Sequence, residues 1–334
     1  MAIPDERSEH EVPDSAAEHH ETDEHTPLTA EVSADVAPAV EEFMAEAAQQ
    51  NADAKEAVEE ASPGEKAGPY ISFAHVCKSF GDFVVLNDVS FFVNAGETLC
   101  ILGRSGVGKS VSLQMLMGFL KPDQGEVLVA GEDITGFDEK QLQGIRRKVT
   151  MVFQNGALFD SITVGENVAF PLRERADLAE DQILQVVKGL LEMVGVAGME
   201  NLLPSDLSTG MKRSVAIARA LASQPEAVLY DEPTTMVDPL MAQLLGDLIK
   251  RLKQQLHLTS IVVTHDMRFA KKLADRVVFL HEGKARFFGT MEEMERSDDP
   301  ILQEFLALDS LILPDQGGSS GFDEGVVSLP DSGL

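Results

Sequence analysis

The strongest constraint on the fold of this 334-residue chain is the octapeptide GRSGVGKS, which runs from Gly103 to Ser110. It fits the pattern G-x-x-x-x-G-K-[ST], follows the apolar run ETLCIL and precedes a helical pattern that starts near Val111. Glycines let the backbone turn tightly enough for several main-chain N–H groups to point at one anion. The start of the following helix adds the positive end of its dipole. The stretch therefore predicts a phosphate-binding loop between a strand and a helix.

Two carboxylates further along the chain are suited to act on a phosphate bound by such a loop. We expect Lys109 to reach the β- and γ-phosphates of a nucleotide and the Ser110 hydroxyl to ligate Mg²⁺. The apolar run AVLYDEP predicts a strand that ends at Asp231 and Glu232, at the sheet edge where ligands of such folds bind. Asp231 is then expected to hold Mg²⁺ and Glu232 to polarise the attacking water.

Strand and helix patterns alternate along most of the chain from Tyr70 onward. This alternation predicts a largely parallel sheet with helices on its faces. The stretch from Asp138 to Pro204 is mainly helical, which indicates a second lobe. Cys77 and Cys100 lie in apolar, strand-like runs, so we expect small buried thiols rather than a disulfide.

The first 68 residues differ sharply in composition from the rest. They hold 19 of the 56 acidic side chains, only 3 of the 27 basic ones, and few large apolar residues. Such a segment buries too little surface to offset the entropy of ordering, so we expect residues 1–68 to form a disordered acidic extension. One part of it, starting at Val40, has an amphipathic pattern with Phe43 and Met44 on one face. The pattern leaves open a solvated helix or a helix that docks on a partner.

Charge and hydropathy exclude several classes of protein. The formal net charge is -29, whereas broad nucleic-acid binding requires a basic face. The N-terminal residues lack the basic start and apolar run of a secretory signal and are too acidic for a transit peptide. No run approaches the ~18 apolar residues that cross a bilayer.

We expect residues 70–306 to form the folded domain and residues 307–334 a flexible acidic tail.

Four further motifs follow in a definite order: VFQ with Gln154, LSTGMKR with Ser208, TTMVDP with Asp238 and VVTHD with His265. Together with the phosphate loop and the carboxylate pair, this set resembles the nucleotide-binding subunit of an ABC ATPase. The resemblance implies an α/β P-loop NTPase fold of ABC type, with a mixed or parallel sheet core and a small antiparallel β subdomain. It also implies a helical lobe at about residues 157–207, and hydrolysis of ATP with Mg²⁺.

The resemblance assigns roles to the matching positions. Phe80 matches the aromatic residue that stacks on adenine, and Ser208 and Gly210 match the signature motif that grips a γ-phosphate held by the opposite subunit. The catalytic residues that it implies are Lys109, Glu232 and His265. The Mg²⁺ ligands that it implies are Ser110, Gln154 and Asp231. The ATP-binding residues that it implies are Phe80, Gly103, Arg104, Ser105, Gly106, Val107, Gly108, Lys109, Ser110, Val111, Gln154, Ser208, Thr209, Gly210, Met211 and Asp238.

The sequences around these motifs are similar in detail to one branch of the family. GRSGVGKSV, FQNGALFDSITVGENVAFPL and LSTGMKRSVAIARALA resemble the Mla/Mce, MlaF-like ATPases of lipid transport. This implies a subunit that powers phospholipid transport through a separate, MlaE-like permease, on which the region from Gly156 to Phe170 docks. It further implies a second ATPase copy, an Mce-type lipid-binding protein and a small soluble regulatory subunit. The subunit would lie on the cytoplasmic face of the inner membrane.

Other functions remain open at this point. One is the ATPase of a polar-solute importer, and another is a regulatory subunit that binds ATP with little hydrolysis. A soluble ABC ATPase of DNA repair or translation fits less well, because there is one domain and no room for a long coiled coil. Thr209 and Met236 stand where the family pattern has glycine, and a Cβ at either place is expected to crowd a closed dimer.

Overall fold

The structure of the protein is a computed structural model that describes residues 32–34, 36–60 and 68–310, without the side chains of 57–60 and 308–310. Its helices are α1 (Ala37–Glu60), α2 (Lys109–Leu116), α3 (Glu139–Lys148), α4 (Val164–Arg175), α5 (Glu180–Met193), α6 (Thr209–Leu221), α7 (Pro239–Leu256), α8 (Met267–Leu273), α9 (Met291–Glu295) and α10 (Pro300–Ser310). Its strands are β1 (Ile71–Phe80), β2 (Phe83–Val93), β3 (Thr98–Leu102), β4 (Gln124–Val129), β5 (Glu132–Asp133), β6 (Val149–Val152), β7 (Ala227–Asp231), β8 (Thr259–Thr264), β9 (Arg276–His281) and β10 (Lys284–Gly289).

The strands form two sheets. The larger has the order β10-β9-β3-β8-β7-β6, in which only the β9–β10 pair is antiparallel. Every residue of β3, β7 and β8 is buried, which explains why their sequences are continuously apolar rather than alternating. The smaller sheet, β2-β1-β4-β5, is antiparallel throughout. The α/β fold with a mixed sheet and a small antiparallel subdomain is thus confirmed.

The parallel strands place the motifs at one edge. β3 leads into the glycine-rich loop, β6 ends two residues before Gln154, and β7 ends at Asp231. β8 ends immediately before His265. Because the carboxyl ends of parallel strands meet at one edge, four motifs that are far apart in sequence lie around one space.

Helix α1 corrects the expectation of a disordered N-terminal extension. Within the described residues of that segment, Val40, Phe43, Met44 and Ala47 are buried against the rest of the chain. The helix packs against α5 of the helical lobe and against α7 beside the large sheet. The carboxylates of Glu41, Glu42 and Glu46 are exposed, so their charges do not oppose this packing. Residues 1–31, 35 and 61–67 lie outside the described residues.

Polar contacts fix α1 at its start, middle and end. The backbone and hydroxyl of Ser33 donate to the carboxylate of Glu192, at distances from 2.6 to 2.9 Å. The Gln224 amide donates to the carbonyl of Phe43 at 2.6 Å, and the Asn51 amide donates to the carbonyl of Leu256 at 2.7 Å. The last two bonds are buried and satisfy polar groups at the contact, and together the bonds give the helix one fixed position on the domain.

The C-terminal boundary also differs from the expectation. Helix α10 continues to Ser310, past the predicted domain end at residue 306, and residues 311–334 lie outside the described part of the chain. Cys77 and Cys100 are free thiols; Cys100 is buried, as expected, whereas Cys77 is only partly buried. Among the described helices, none is both long enough and apolar enough to span a membrane.

Candidate nucleotide-binding site

A cavity of about 640 Å³ opens at the edge where the parallel strands end. That volume lies within the range of small-molecule sites. Its walls contain ten of the residues expected from the sequence: Arg104, Ser105, Gly106, Gly108, Lys109, Ser110, Val111, Gln154, Glu232 and His265. They also contain four residues that sequence reasoning missed: Val85, Thr235, Met267 and Phe305. Val85 neighbours the recognised motifs only in space, so no local pattern marked it, whereas Met267 directly follows VVTHD and Thr235 lies within TTMVDP.

The glycines of the loop have separate physical roles. A Cβ at Gly103 would lie 2.5 Å from the carbonyl oxygen of Leu280, and one at Gly108 would lie 2.6 Å from the Leu86 side chain. Both are therefore needed for close packing, and both have positive φ. A Cβ at Gly106 would meet nothing within 4 Å, so this part of the loop faces open space. The loop is thus packed behind and open in front, which suits it to hold an anion.

The side chain of Lys109 lies across this loop. Its ammonium donates to the carbonyl of Gly103 at 2.8 Å and to that of Arg104 at 3.2 Å. It also lies 3.3 Å from Glu232 Oε1, with the side chains 6% and 12% exposed, respectively. A charge that is this well shielded from water interacts strongly with any anion in the cavity.

Glu232 connects Lys109 with His265. Its Oε2 lies 2.8 Å from the His265 ring Nδ1 and accepts a hydrogen bond from the Thr235 hydroxyl at 3.3 Å. The backbone of Glu232 has a φ of +47°, which is uncommon for a residue with a side chain. Its N–H donates to the carbonyl of Val263 on β8. The strained turn after β7 is therefore held by the neighbouring strand, and it directs the carboxylate into the cavity.

Asp231 and Ser110 form the adjacent oxygen cluster. The Ser110 hydroxyl donates to the Asp231 carboxylate at 3.0 Å. Burial raises the pKa of Asp231, although the Ser110 hydrogen bond and the nearby Lys109 lower it. A buried carboxylate whose charge is under-compensated fits a cation.

The donor set suits magnesium. Hydroxyl, carboxylate and the amide oxygen of Gln154 are the hard ligands that Mg²⁺ prefers, usually together with phosphate oxygens and water. In the described part of the chain, no three His, Cys, Asp or Glu side chains cluster into a self-sufficient metal site. The residues therefore fit a Mg²⁺ ion that arrives with a phosphate ligand.

The other predicted ATP-binding residues do not line this cavity. Ser208, Thr209, Gly210 and Met211 lie at the start of α6, and Asp238 precedes α7. Ser208 and Asp238 are helix N-caps, since their side chains accept hydrogen bonds from the N–H groups of Met211 and Met241. Ser208, Thr209 and Asp238 are exposed. They are available to a second molecule, not to a ligand bound in the cavity of their own chain.

Two more predicted contacts lie away from the cavity walls. Phe80 is 48% exposed at the end of β1, with the ammonium of Lys78 5.6 Å from the ring centroid. Val107 is half-buried and packs against the hydrophobic core behind the loop. Phe80 remains a prediction as an adenine contact, whereas the packing of Val107 accounts for its apolar side chain.

Met236 keeps a glycine-like backbone in spite of its side chain. Its φ is +61° and it is 89% exposed. This left-handed conformation explains why the position favours glycine, and the methionine carries a strain cost there. The side chain extends into solvent next to Asp238, so it would meet any molecule that docks on this loop.

Comparison with known proteins shows which family the chain resembles. Residues 86–235 match the family described as ABC transporter. The chain is 41% identical over 226 residues, 68% of its length and 86% of the relative's, to the intermembrane phospholipid transport system ATP-binding protein MlaF of Haemophilus influenzae. It is 40% identical to the Arabidopsis thaliana chloroplastic protein TRIGALACTOSYLDIACYLGLYCEROL 3, over 69% of the chain and 71% of that protein.

Two further similarities extend the comparison. A probable ribonucleotide transport ATP-binding protein, mkl, of Mycobacterium leprae is 37% identical, over 72% of the chain and 69% of that protein. The dimeric post-hydrolysis structure of the ATP-binding cassette MJ0796 with ADP and Pi has a TM-score of 0.62 and 31% identity. It covers 66% of this chain and 98% of that one.

Proposed function

The chain belongs to the ABC transporter family and is an ATPase subunit of that family, and we propose that it powers phospholipid transport by a separate membrane permease. The observation that carries this proposal is its 41% identity, across 86% of the relative's length, to an ATP-binding protein of intermembrane phospholipid transport. A second candidate substrate is a polar solute, since the 37% identical mycobacterial relative is named for ribonucleotide transport.

The geometry of the cavity supports the following roles. The N–H groups of the loop and the ammonium of Lys109 bind the phosphates of ATP. Ser110, Asp231 and Gln154 would hold Mg²⁺, which would neutralise phosphate charge. Lys109 exchanges the Glu232 carboxylate, 3.3 Å away, for phosphate oxygens. Glu232, released from that pair, orients the attacking water and takes its proton, while His265 holds the second carboxylate oxygen.

The predicted contacts outside the cavity support a symmetric dimer. Ser208, Gly210 and Asp238 would reach a nucleotide held by a second copy, so that each subunit supplies half of each site. The similar cassette MJ0796 is described as dimeric. ATP would then bind at the interface and hold the two copies together.

An aromatic surface supports docking on a permease. Phe159 and Phe170 are both exposed, and their ring centroids are 5.4 Å apart. The Arg219 guanidinium lies 5.8 Å from the Phe159 ring centroid and donates to the carbonyl of Ala157. Exposed aromatic pairs on a rigid base are typical of protein interfaces. We infer that this surface contacts an MlaE-like permease, so that the subunit lies on the cytoplasmic face of the inner membrane.

The complex is proposed to contain an Mce-type lipid-binding protein and a small soluble regulatory subunit as well. The experiment that tests the function is reconstitution of the co-purified permease complex in liposomes that contain a fluorescent phospholipid. ATP-dependent transfer of the lipid to acceptor vesicles, lost in Glu232→Gln, supports the proposal. ATP-dependent uptake of radiolabelled ribonucleotides without lipid transfer would support the polar-solute alternative instead.

A further inference from the structure

The C-terminal helix α10 forms part of the wall of the nucleotide cavity. Leu302 and Phe305 anchor it, since they are 1% and 8% exposed. The Phe305 ring lies 4.8 Å from the ring of Phe279 on β9, centroid to centroid, and it also lines the cavity. Phe279 pairs with Leu102 at the end of β3, one residue before the phosphate loop. The helix is therefore packed on the base of that loop.

This anchoring brings a carboxylate to the loop. Glu304, the neighbour of Phe305, accepts a hydrogen bond from the Arg104 guanidinium at 2.7 Å. The Arg104 and Glu304 side chains are 57% and 63% exposed, and ion pairs this accessible to water contribute little to folding stability. The pair therefore needs an explanation other than stability.

The charges around the cavity suggest that explanation. Lys109 and Arg104 are the cations of the loop that line the cavity, and each lies next to a carboxylate, Glu232 at 3.3 Å or Glu304 at 2.7 Å. A triphosphate that enters the cavity brings several negative charges and competes with both carboxylates. Glu232 has a use in catalysis once it is released, whereas Glu304 lies on a helix outside every motif of the phosphate site.

We propose that Glu304 is a positioning residue on α10, which holds the Arg104 guanidinium by an ion pair and releases it to the phosphates when the nucleotide binds. Glu304 sets the affinity for the polyphosphate chain and leaves the chemical step unchanged. The inference rests on the proposed function, because it requires that ATP occupies this cavity. It predicts that removing the charge of Glu304 strengthens nucleotide binding, and that the gain in affinity increases with the number of phosphates in the ligand.

The test compares Glu304→Gln with Glu292→Gln in the full chain. Glu292 is a matched control, because its carboxylate pairs with Arg296 at 3.7 Å and does not line the cavity. Titration calorimetry at low salt with a non-hydrolysable imido analogue of ATP, and with ADP, measures the affinities. Glu304→Gln should tighten triphosphate binding about 2- to 5-fold and ADP binding less, as expected for one half-exposed charge contact. High salt should remove the gain.

The same substitution in a protein that lacks the Arg104 charge shows whether Glu304 acts through Arg104. In Arg104→Gln, the additional change Glu304→Gln should have no further effect on affinity. In steady-state kinetics, Glu304→Gln should lower KM for ATP and leave kcat unchanged. Equal effects of Glu304→Gln and Glu292→Gln, weaker binding, or the same gain without Arg104 would each overturn the inference. If the parent protein binds no nucleotide, the proposed function itself fails and the inference falls with it.

Discussion

The ammonium of Lys109 lies 3.3 Å from the Glu232 carboxylate, and both side chains are almost completely buried. The phosphate loop and the turn after β7, more than 100 positions apart in the sequence, are thereby joined by one ion pair. A buried pair of this kind is costly to break by removing one partner, since the other is left without compensation. The pair therefore links nucleotide binding to the state of the residue that we assign to water activation.

Removal of Lys109 tests the binding half of this relationship. Lys109→Ala should abolish measurable binding of Mg-ATP, because the loop loses its only buried cation that lines the described cavity. Lys109→Arg, which keeps the charge, should recover little, since a planar guanidinium does not fit the space of an ammonium between two carbonyls. Equilibrium binding of a fluorescent ATP analogue measures both variants, and parent-like affinity in Lys109→Ala would show that the nucleotide binds elsewhere.

Asp231 yields a prediction that links stability and pH. Burial raises its pKa, so the charged carboxylate opposes folding, and this cost appears as the pH rises through the raised pKa and is relieved below it. Asp231→Asn should therefore raise the Tm of the protein without nucleotide at neutral pH, by an amount that shrinks as the pH falls toward 4. The same variant should lose the stabilisation by Mg-ATP. Thermal melts from pH 4 to 8 test both effects, and a lower Tm at neutral pH would show that the charge of Asp231 does not oppose folding.

Helix α1 predicts opposite effects for two glycine substitutions. A Cβ on Gly189 of α5 would lie 2.7 Å from the Val40 Cβ, whereas one on Gly144 of α3 would meet nothing within 4 Å. Gly144→Ala should stabilise the protein by about 1 kcal/mol through helix propensity. Gly189→Ala should destabilise it by about 1–3 kcal/mol through overpacking.

Deletion of residues 1–60 provides the control for that contact. It removes the buried face of α1 and should lower Tm, and in the shortened chain Gly189→Ala should become stabilising. Denaturant unfolding of the full and shortened chains, each with and without Gly189→Ala, gives the free energies of unfolding. Destabilisation by Gly189→Ala that persists after the deletion would place the clash elsewhere than at α1.

The composite site predicts a dimer that depends on ATP. In Glu232→Gln, Mg-ATP should convert monomers into dimers, because the bound nucleotide would persist and would be contacted by Ser208 of the second copy. Ser208→Asp keeps an N-cap side chain for α6 but places a negative charge where the phosphate is expected. Added to Glu232→Gln, it should abolish the dimer without lowering Tm. Light scattering of both variants measures the masses, and a dimer of equal stability in Ser208→Asp would exclude this contact.

The positions of the glycine-rich loop and of the carboxylates that follow β7 could be predicted from the sequence because their geometry is local. The positive φ of Gly108, the start of α2 at Lys109 and the placement of Asp231 at the end of β7 all follow from short stretches with strong backbone preferences. The parallel sheet then brought distant motifs to one edge, as strand order requires. These relationships depend on few residues each, so they could be predicted without the rest of the chain.

The N-terminal helix and α10 could not be predicted in the same way. Val40 and Phe43 formed an amphipathic face, but the partner surface depends on Gly189, which leaves room for the helix only in three dimensions. In the same way, Phe305 reads as an ordinary apolar residue near a chain end, and its place in the cavity follows from its contact with Phe279. Tertiary packing, rather than composition, determined where both segments lie on the domain.

Release of phosphate from Mg-ATP shows whether this cavity hydrolyses the nucleotide with Glu232 as the base. The purified chain with its permease should turn over Mg-ATP, and Glu232→Gln should bind ATP as the parent does but release phosphate about 100-fold or more slowly. Thr235→Val, which removes only the hydroxyl that contacts the same carboxylate, should change the rate far less. Parent-like phosphate release by Glu232→Gln would contradict the assignment of the base and of the reaction to this site.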